Sequence, residues 1–489
     1  MKGNDFLSFS FFSGVTMDEV EKRGQSAGTT DLTEGPIFKK MILYALPIIF
    51  TGVLQLLFNT ADIIVVGNFA SETALAAVGS TGAIINLIVN LLIGLSVGAG
   101  VSAARIFGQK NDKGMEEIVH TSMLTAIVGG VLFGAVGFVF SKYFLIWINT
   151  PDNVIDQATL YVKIYCLGIP FSIVYNFGAS ILRAVGDTKR PLYFLVISGV
   201  INVIFNLFFV IALNMDVAGV ATATVISQVI SCILVVIYLM RVDGSHRFIP
   251  KNMRFEPYRF KQILLVGIPA GFQAAMFSIS NLLIQSSINY FGDVVMSANA
   301  ASGNIEGFIY IAMNSFYHTA LTFTGQHIGA KKAEKIKKIA ILCLVSVSVV
   351  GLALGIISRL LGGFLLSLYV SGSTEYENKV IEYGLTRMTI ISLTYFTFGM
   401  SDVFSGLLRG MSKSFTAMII SLACICGFRI LWIYTVFAVC KDLTILYLSY
   451  PISWVLCLIC QLIAFIVSYK KVLKHEKAKK EAKTANQAA

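Results

Sequence analysis

Charge is what this sequence has least of. Only 13% of its 489 residues are Asp, Glu, Lys or Arg, where water-soluble domains carry about 25%. With 56% apolar residues and a mean hydropathy of +0.76, the chain has too little polar surface to cover a core of its size. That excludes a soluble enzyme, a secreted disulfide scaffold and a disordered protein. Proline is scarce too, 9 against 36 phenylalanines. No phosphate-binding loop of the Gly-x4-Gly-Lys-Ser/Thr type occurs, so ATP does not drive the protein directly. His318 and His327 lie nine residues apart with no third ligand at metal spacing, which argues against zinc. No Ser/His/Asp set falls at membrane depth to support an intramembrane enzyme. A cleavable signal of ordinary form is also missing: the apolar stretch Phe6–Val15 is shorter than the ~20 residues a span needs. Met17, followed by an acidic-basic stretch, is a second candidate for the start.

What is present is a run of long apolar segments, so the chain is an integral membrane protein. Twelve helices are expected at about 40–67, 75–104, 117–141, 157–182, 191–214, 217–240, 262–290, 296–328, 338–361, 380–408, 414–438 and 445–469. The cations orient them. With both termini cytoplasmic, 31 of the 38 Lys and Arg fall on the cytoplasmic side, and only Lys142, Arg359, Lys379 and Lys441 lie in outer loops. The net charge of +11 is therefore a membrane signal, strongest in the seven lysines of the last 20 residues. Such basic ends face an anionic inner leaflet, and no nucleic-acid partner is implied. The eight cysteines lie mostly inside apolar runs and read as small buried residues.

The two halves repeat. Ala-Ala-Val-Gly-Ser-Thr-Gly at 76–82 precedes Ser-Ala-Asn-Ala-Ala-Ser-Gly at 297–303 by 221 residues, and Phe-Gly-Gln-Lys at 107–110 has the same offset from Ile-Gly-Ala-Lys at 328–331. Pro47 with Gln55 opens the first half as Pro269 with Gln273 opens the second. Six spans per repeat start both halves on one side, so a pseudo-two-fold axis runs along the membrane normal, an arrangement that favours an alternating-access transporter. The fold class is an all-α polytopic membrane protein of two six-helix lobes. The expected divisions are an N-terminal extension 1–37, a first lobe 38–241, a linker 242–261, a second lobe 262–469 and a basic tail 470–489.

Buried polar groups mark the candidate sites. An ionised carboxylate in hydrocarbon costs roughly 2.5 kcal/mol or more, so Asp62 inside helix 1 needs a reason. By helix position, Asp62, Asn206 of helix 5 and Thr224 of helix 6 share one depth in the outer half of the first lobe, with Asn202 one turn deeper on the face of Asn206. One carboxylate among amide and hydroxyl oxygens suits Na⁺ or a proton. The plainer reading is that the Asn and Thr side chains tie helices together.

Several motifs, in order, carry a resemblance: Pro47, Gln55 and Asp62; the stretch from Leu182 to Pro191; Asn202 and Asn206; Ala223 to Ser227; and Thr324 to Ala330. Across 38–469 the chain resembles the multidrug and toxic compound extrusion (MATE) family. The resemblance implies two lobes around a V-shaped cavity, and export of amphipathic, often cationic compounds in exchange for Na⁺ or H⁺. It also implies that Asp62, Asn202, Asn206 and Thr224 line the cation site. Some relatives carry a second carboxylate at the Asn206 position; its replacement here leaves the choice of ion open. One branch places an acid on helix 7 where this chain has Ser278, with Asn281 nearby, which sets its second lobe apart from that branch.

In the second lobe Glu306 and Arg429 have similar depth and are expected to pair, with Arg387 as the competing partner. Asp402 is expected nearer the cytoplasmic end of helix 10, within reach of water, in a solvated or packing role. The apolar lining is expected from Phe, Tyr and Met, with Met276, Met313, Met388 and Met400 as the methionine candidates because a thioether adapts to varied shapes. Gln55, Gln273, Ser278, Asn281, Glu306 and Asp402 are the candidates for substrate contact or coupling. The expected function is a monomeric cation-coupled antiporter of small amphipathic compounds in the cytoplasmic membrane, with no cofactor beyond the coupling ion. A flippase for lipid-linked oligosaccharides is the alternative, and it calls for a strongly cationic cavity.

Overall fold

The computed structural model describes residues 29–148, 150–370 and 372–488. The readings made of Phe6–Val15 and Met17 lie outside these residues. Among the described residues the chain forms twelve long helices. The first lobe holds α1 (Ile37–Phe69), α2 (Glu72–Gly108), α3 (Asp112–Trp147), α4 (Ile155–Ala184), α5 (Lys189–Ala212) and α6 (Asp216–Arg241). The second holds α7 (Pro257–Asn289), α8 (Asp293–Gly329), α9 (Ala333–Leu360), α10 (Thr374–Gly410), α11 (Ser414–Phe437) and α12 (Leu443–Ala488). The connection between lobes is shorter than the charge pattern implied, because α7 already begins at Pro257. The basic tail continues α12 as one helix.

Eleven of these helices are long and apolar enough to cross a membrane. The other is α8, which has the length but is rich in Ser, Thr, Asn and Gln. It crosses between other helices rather than beside lipid: Ser302, Ser315, Thr319, Thr322, Thr324, Gln326 and His327 are all buried. Ser315 and Thr319 return their hydroxyl hydrogens to the carbonyls of Ile311 and Ser315, at 2.9 and 2.8 Å. A polar helix is tolerable at membrane depth when its polar groups are met inside the protein.

Glycine lets the lobes touch. A Cβ on Gly94 of α2 would stand 2.2 Å from the Gly271 nitrogen of α7, and one on Gly108 would stand 2.1 Å from the Gln326 carbonyl oxygen of α8. Such approach needs bare backbone on both sides. Toward the other end of the bundle, Gly79 and Gly82 of α2 and Gly303 of α8 would meet nothing within 4 Å. The helices thus close on the side where α1 begins and splay on the opposite side, leaving a cleft between the lobes.

A strap seals the closed end. Thr30 donates its main-chain N–H to Val185 in the first lobe at 3.0 Å, and Leu32 donates to Gln326 Oε1 in the second, also at 3.0 Å. Leu32 is only 1% exposed. The first turns of α1 continue the bridge, with Met41, Tyr44 and Ile48 packing into a core shared with Met313, Phe316 and Val347 of the second lobe. Helix α1 belongs to the first lobe by sequence, yet its opening half is anchored in the other.

Candidate functional site

Three of the four residues read as an ion site come together. Asp62 lies seven residues before the end of α1, about 10 Å by helical rise, and its Oδ1 accepts a hydrogen bond from Nδ2 of Asn206. The same Nδ2 lies 3.4 Å from Asn202 Oδ1. Asn206 Oδ1 is buried with no hydrogen-bond partner. Thr224 is not joined to this cluster by a hydrogen bond; it donates to the Val220 carbonyl of its own helix at 3.0 Å. Tyr161 of α4 stands within electrostatic reach of the Asp62 carboxyl. Directly after Asn206 the helix widens into a π segment at Phe208–Ala212, a distortion that often accompanies binding sites in helices.

The candidates for substrate contact divide between two joined cavities. A central cavity of about 550 Å³ is lined by Gln55, Gln273 and Asp402, together with Asn59, Asn90, Asn176, Asn314, Arg183, His318 and Arg409. A second cavity of about 670 Å³, in the second lobe, is lined by Ser278, Asn281 and Glu306, with Phe277, Tyr395, Phe398, Tyr450, Trp454, Arg387 and Arg429. Asn90, Phe277, Tyr310 and Phe398 line both. At the central cavity Arg409 donates to Gln273 Oε1 at 2.8 Å and to the Tyr317 hydroxyl at 2.5 Å, so the floor is fixed by hydrogen bonds.

Three expectations need correction. Glu306 pairs with Arg387 and not with Arg429: both carboxylate oxygens take guanidinium hydrogens, at 3.1 and 2.7 Å. Depth along a helix does not reveal azimuth, and α10 presents Arg387 to α8. Asp402 opens onto the central cavity rather than onto water at the terminus side. None of the four methionines lines either cavity. Met313 and Met388 are fully buried core residues, and the aromatic share of the lining comes from the expected Phe and Tyr residues together with Trp454. Sequence reading passed over the cavity asparagines Asn59, Asn90, Asn176 and Asn314, although each lies inside an expected helix and was visible there.

Two lobes of six helices around an open polar cleft define a membrane transporter. The comparisons with known proteins agree. The sequence model of the MatE family matches residues 47–208 and 269–435. The chain therefore belongs to the MatE family of transporters, and it is not an enzyme. It is 27% identical over 392 residues to the probable multidrug resistance protein YpnP of Bacillus subtilis (strain 168), covering 80% of this chain and 86% of that one. It is 25% identical over 397 residues to the probable multidrug resistance protein NorM of Thermotoga maritima, covering 79% and 82%. Among solved structures, one described as the outward-facing conformation of a multidrug resistance MATE family transporter superposes with a TM-score of 0.83 at 19% identity, over 93% of this chain and all of that one. A crystal structure of MATE in complex with MaL6 gives 0.84 at 19% identity, over the same shares.

Proposed function

We propose that the protein is a cation-coupled antiporter that exports small amphipathic compounds, with Na⁺ or H⁺ as the coupling ion. The observation that carries the reading is the cluster of Asp62, Asn206 and Asn202, in which the Asn206 Nδ2 joins the Asp62 carboxylate to Asn202 Oδ1 while Asn206 Oδ1 is buried without a partner. Oxygen donors with one negative charge suit a small hard cation or a proton. Thr224, one helix away, completes the set when its hydroxyl turns from its own backbone. The relatives named as multidrug resistance proteins support the substrate class, as do the aromatic and amide linings.

The closed end, with the strap and both termini, faces the cytoplasm in this reading, as the excess of cations there requires. The cleft then opens outward, ready to release substrate and admit the ion. Occupancy at Asp62 favours one state, and substrate favours the other; coupling is that difference in affinity. Each inward charge contributes about 2.3 kcal/mol per 100 mV besides its concentration gradient. The lobe divisions expected from sequence serve as the moving bodies, with 242–256 as the tether.

The test is efflux of ethidium from proteoliposomes, driven separately by a Na⁺ and a H⁺ gradient. Efflux should follow one gradient and vanish in D62N, while that variant inserts and purifies as the wild type does. Gradient-driven efflux by D62N at wild-type rate removes the assignment.

A further inference from the structure

The second-lobe cavity carries a positive charge that no acid among the described residues pairs with. Among its lining residues Glu306 is the one acid, and it is fully engaged: Arg387 takes both of its oxygens and reaches Asn299 Oδ1 with its remaining nitrogen. Asn299 in turn donates to Gln285 Oε1 at 2.8 Å. This network is closed, and its formal charges cancel. Arg429 lies outside it. Its side chain is 4% exposed, and its Nε donates to Ser453 Oγ at 3.1 Å. Its guanidinium carbon sits 4.1 Å from the centre of the Tyr450 ring and 5.8 Å from that of Trp454. These neighbours are neutral. The two terminal nitrogens have no acceptor among the described residues, although guanidinium stays charged at any physiological pH.

A buried cation inside a membrane span is costly and marks a ligand pathway by default. Two details indicate that the position is built. Arg429 sits on a short α-helical stretch, Phe428–Trp432, between π segments at Leu422–Gly427 and Ile433–Phe437, so the helix is locally widened on both sides of it. Arg429 lines a cavity walled by a cluster of mutually tilted rings: Trp454 lies 5.0 Å from Tyr395 and 5.6 Å from Phe398, centre to centre. A planar guanidinium with two free donors matches a carboxylate in the two-pronged geometry that a lysine cannot supply. The adjacent rings offer a face to a flat apolar body.

The geometry points to a carboxylate subsite: Arg429 receives the anionic group of an aromatic carboxylate whose ring lies against Trp454 and Phe398. That the subsite serves export rests on the antiporter reading; its preference for charge does not.

The experiment uses the full chain in lipid nanodiscs, with 1-naphthoate and the isosteric neutral 1-naphthamide as probes in titration calorimetry. The acid should bind at least tenfold more tightly than the amide. R429Q should erase the difference while R429K, which keeps the charge and loses the fork, retains part of it. Equal affinities in the wild-type protein overturn the proposal without any variant being needed, as does a full preference surviving in R429Q. Dihexanoyl phosphatidate forms a further arm: binding tighter than naphthoate assigns the pocket to a lipid headgroup and overturns the aromatic carboxylate. D62N should keep the acid preference. If ion-driven ethidium efflux fails in the wild type while that preference persists, the antiporter reading falls and the carboxylate subsite stands.

Discussion

Gln326, at the end of α8 in the second lobe, donates its Nε2 hydrogen to the main-chain carbonyl of Ala184, at the end of α4 in the first, across 2.7 Å. Its Oε1 receives the Leu32 N–H of the strap. One buried carboxamide therefore joins both lobes and the N-terminal segment at the closed end. Under the antiporter proposed above, alternating access would break these bonds in each cycle.

Replacing Gln326 with Ala should loosen that end. Two buried partners lose a hydrogen bond, and each such loss costs about 1–3 kcal/mol. Amide exchange at Leu32 and Thr30 should then speed up by roughly fivefold to a hundredfold. Exchange mass spectrometry on the strap peptide reads this; unchanged protection refutes the role given to Gln326.

The pair of Glu306 and Arg387 yields a second expectation. Both side chains are almost fully buried, and removing one charge leaves the other uncompensated at a cost of about 3–5 kcal/mol. E306Q should lower the thermal unfolding midpoint markedly. The double variant E306Q/R387M should regain most of the loss, because a neutral pair of similar volume has no stranded charge.

Close approach of α2 and α7 gives a third. G94A places a methyl within 2.2 Å of the Gly271 backbone, which forces the helices apart at a cost of about 1–3 kcal/mol. G129A, on a lipid-facing stretch with nothing within 4 Å, should be neutral. The comparison of thermal midpoints in the same detergent isolates contact from the loss of a glycine.

His246 in the tether between lobes supplies a pH dependence. It is 2% exposed, and burial pushes its pKa down to about 4, against the pull of Asp187 and with the help of Arg190. The folded state therefore favours the neutral ring, whose ordinary pKa is about 6.5. This contribution to stability is complete above about 6.5 and is lost as pH falls toward 4. Wild-type thermal midpoints should drop over that interval, and the H246Q midpoint should drop less.

The class of protein was legible from composition because lipid imposes one rule on every span. The ~20 apolar residues each crossing needs appear in eleven of the twelve helices. Helix α8 was expected as one more apolar run at 296–328, yet it falls short of the others in hydropathy, since its many Ser, Thr, Asn and Gln residues are met inside the protein. Asp62, Asn202 and Asn206 were also legible, because a carboxylate at membrane depth and amides one helical turn apart are rare enough to stand out. The pairing of Glu306 was not. Arg387 and Arg429 both lie within reach in sequence terms, and only the rotation of α10 and α11 about their axes separates them.

Hydrophobicity and charge, summed along the chain, thus determined the membrane class and eleven of the twelve long helices, and motifs recurring at a fixed offset determined the repeat, since each is carried by the sequence alone. The tertiary structure decided which polar groups meet. It brought Asn206 to Asp62, joined Glu306 to Arg387, left Arg429 facing an aromatic cavity and drew the strap across both lobes. These contacts depend on helix azimuth and on approach between distant segments, which side-chain packing and glycine contacts set and no local pattern encodes.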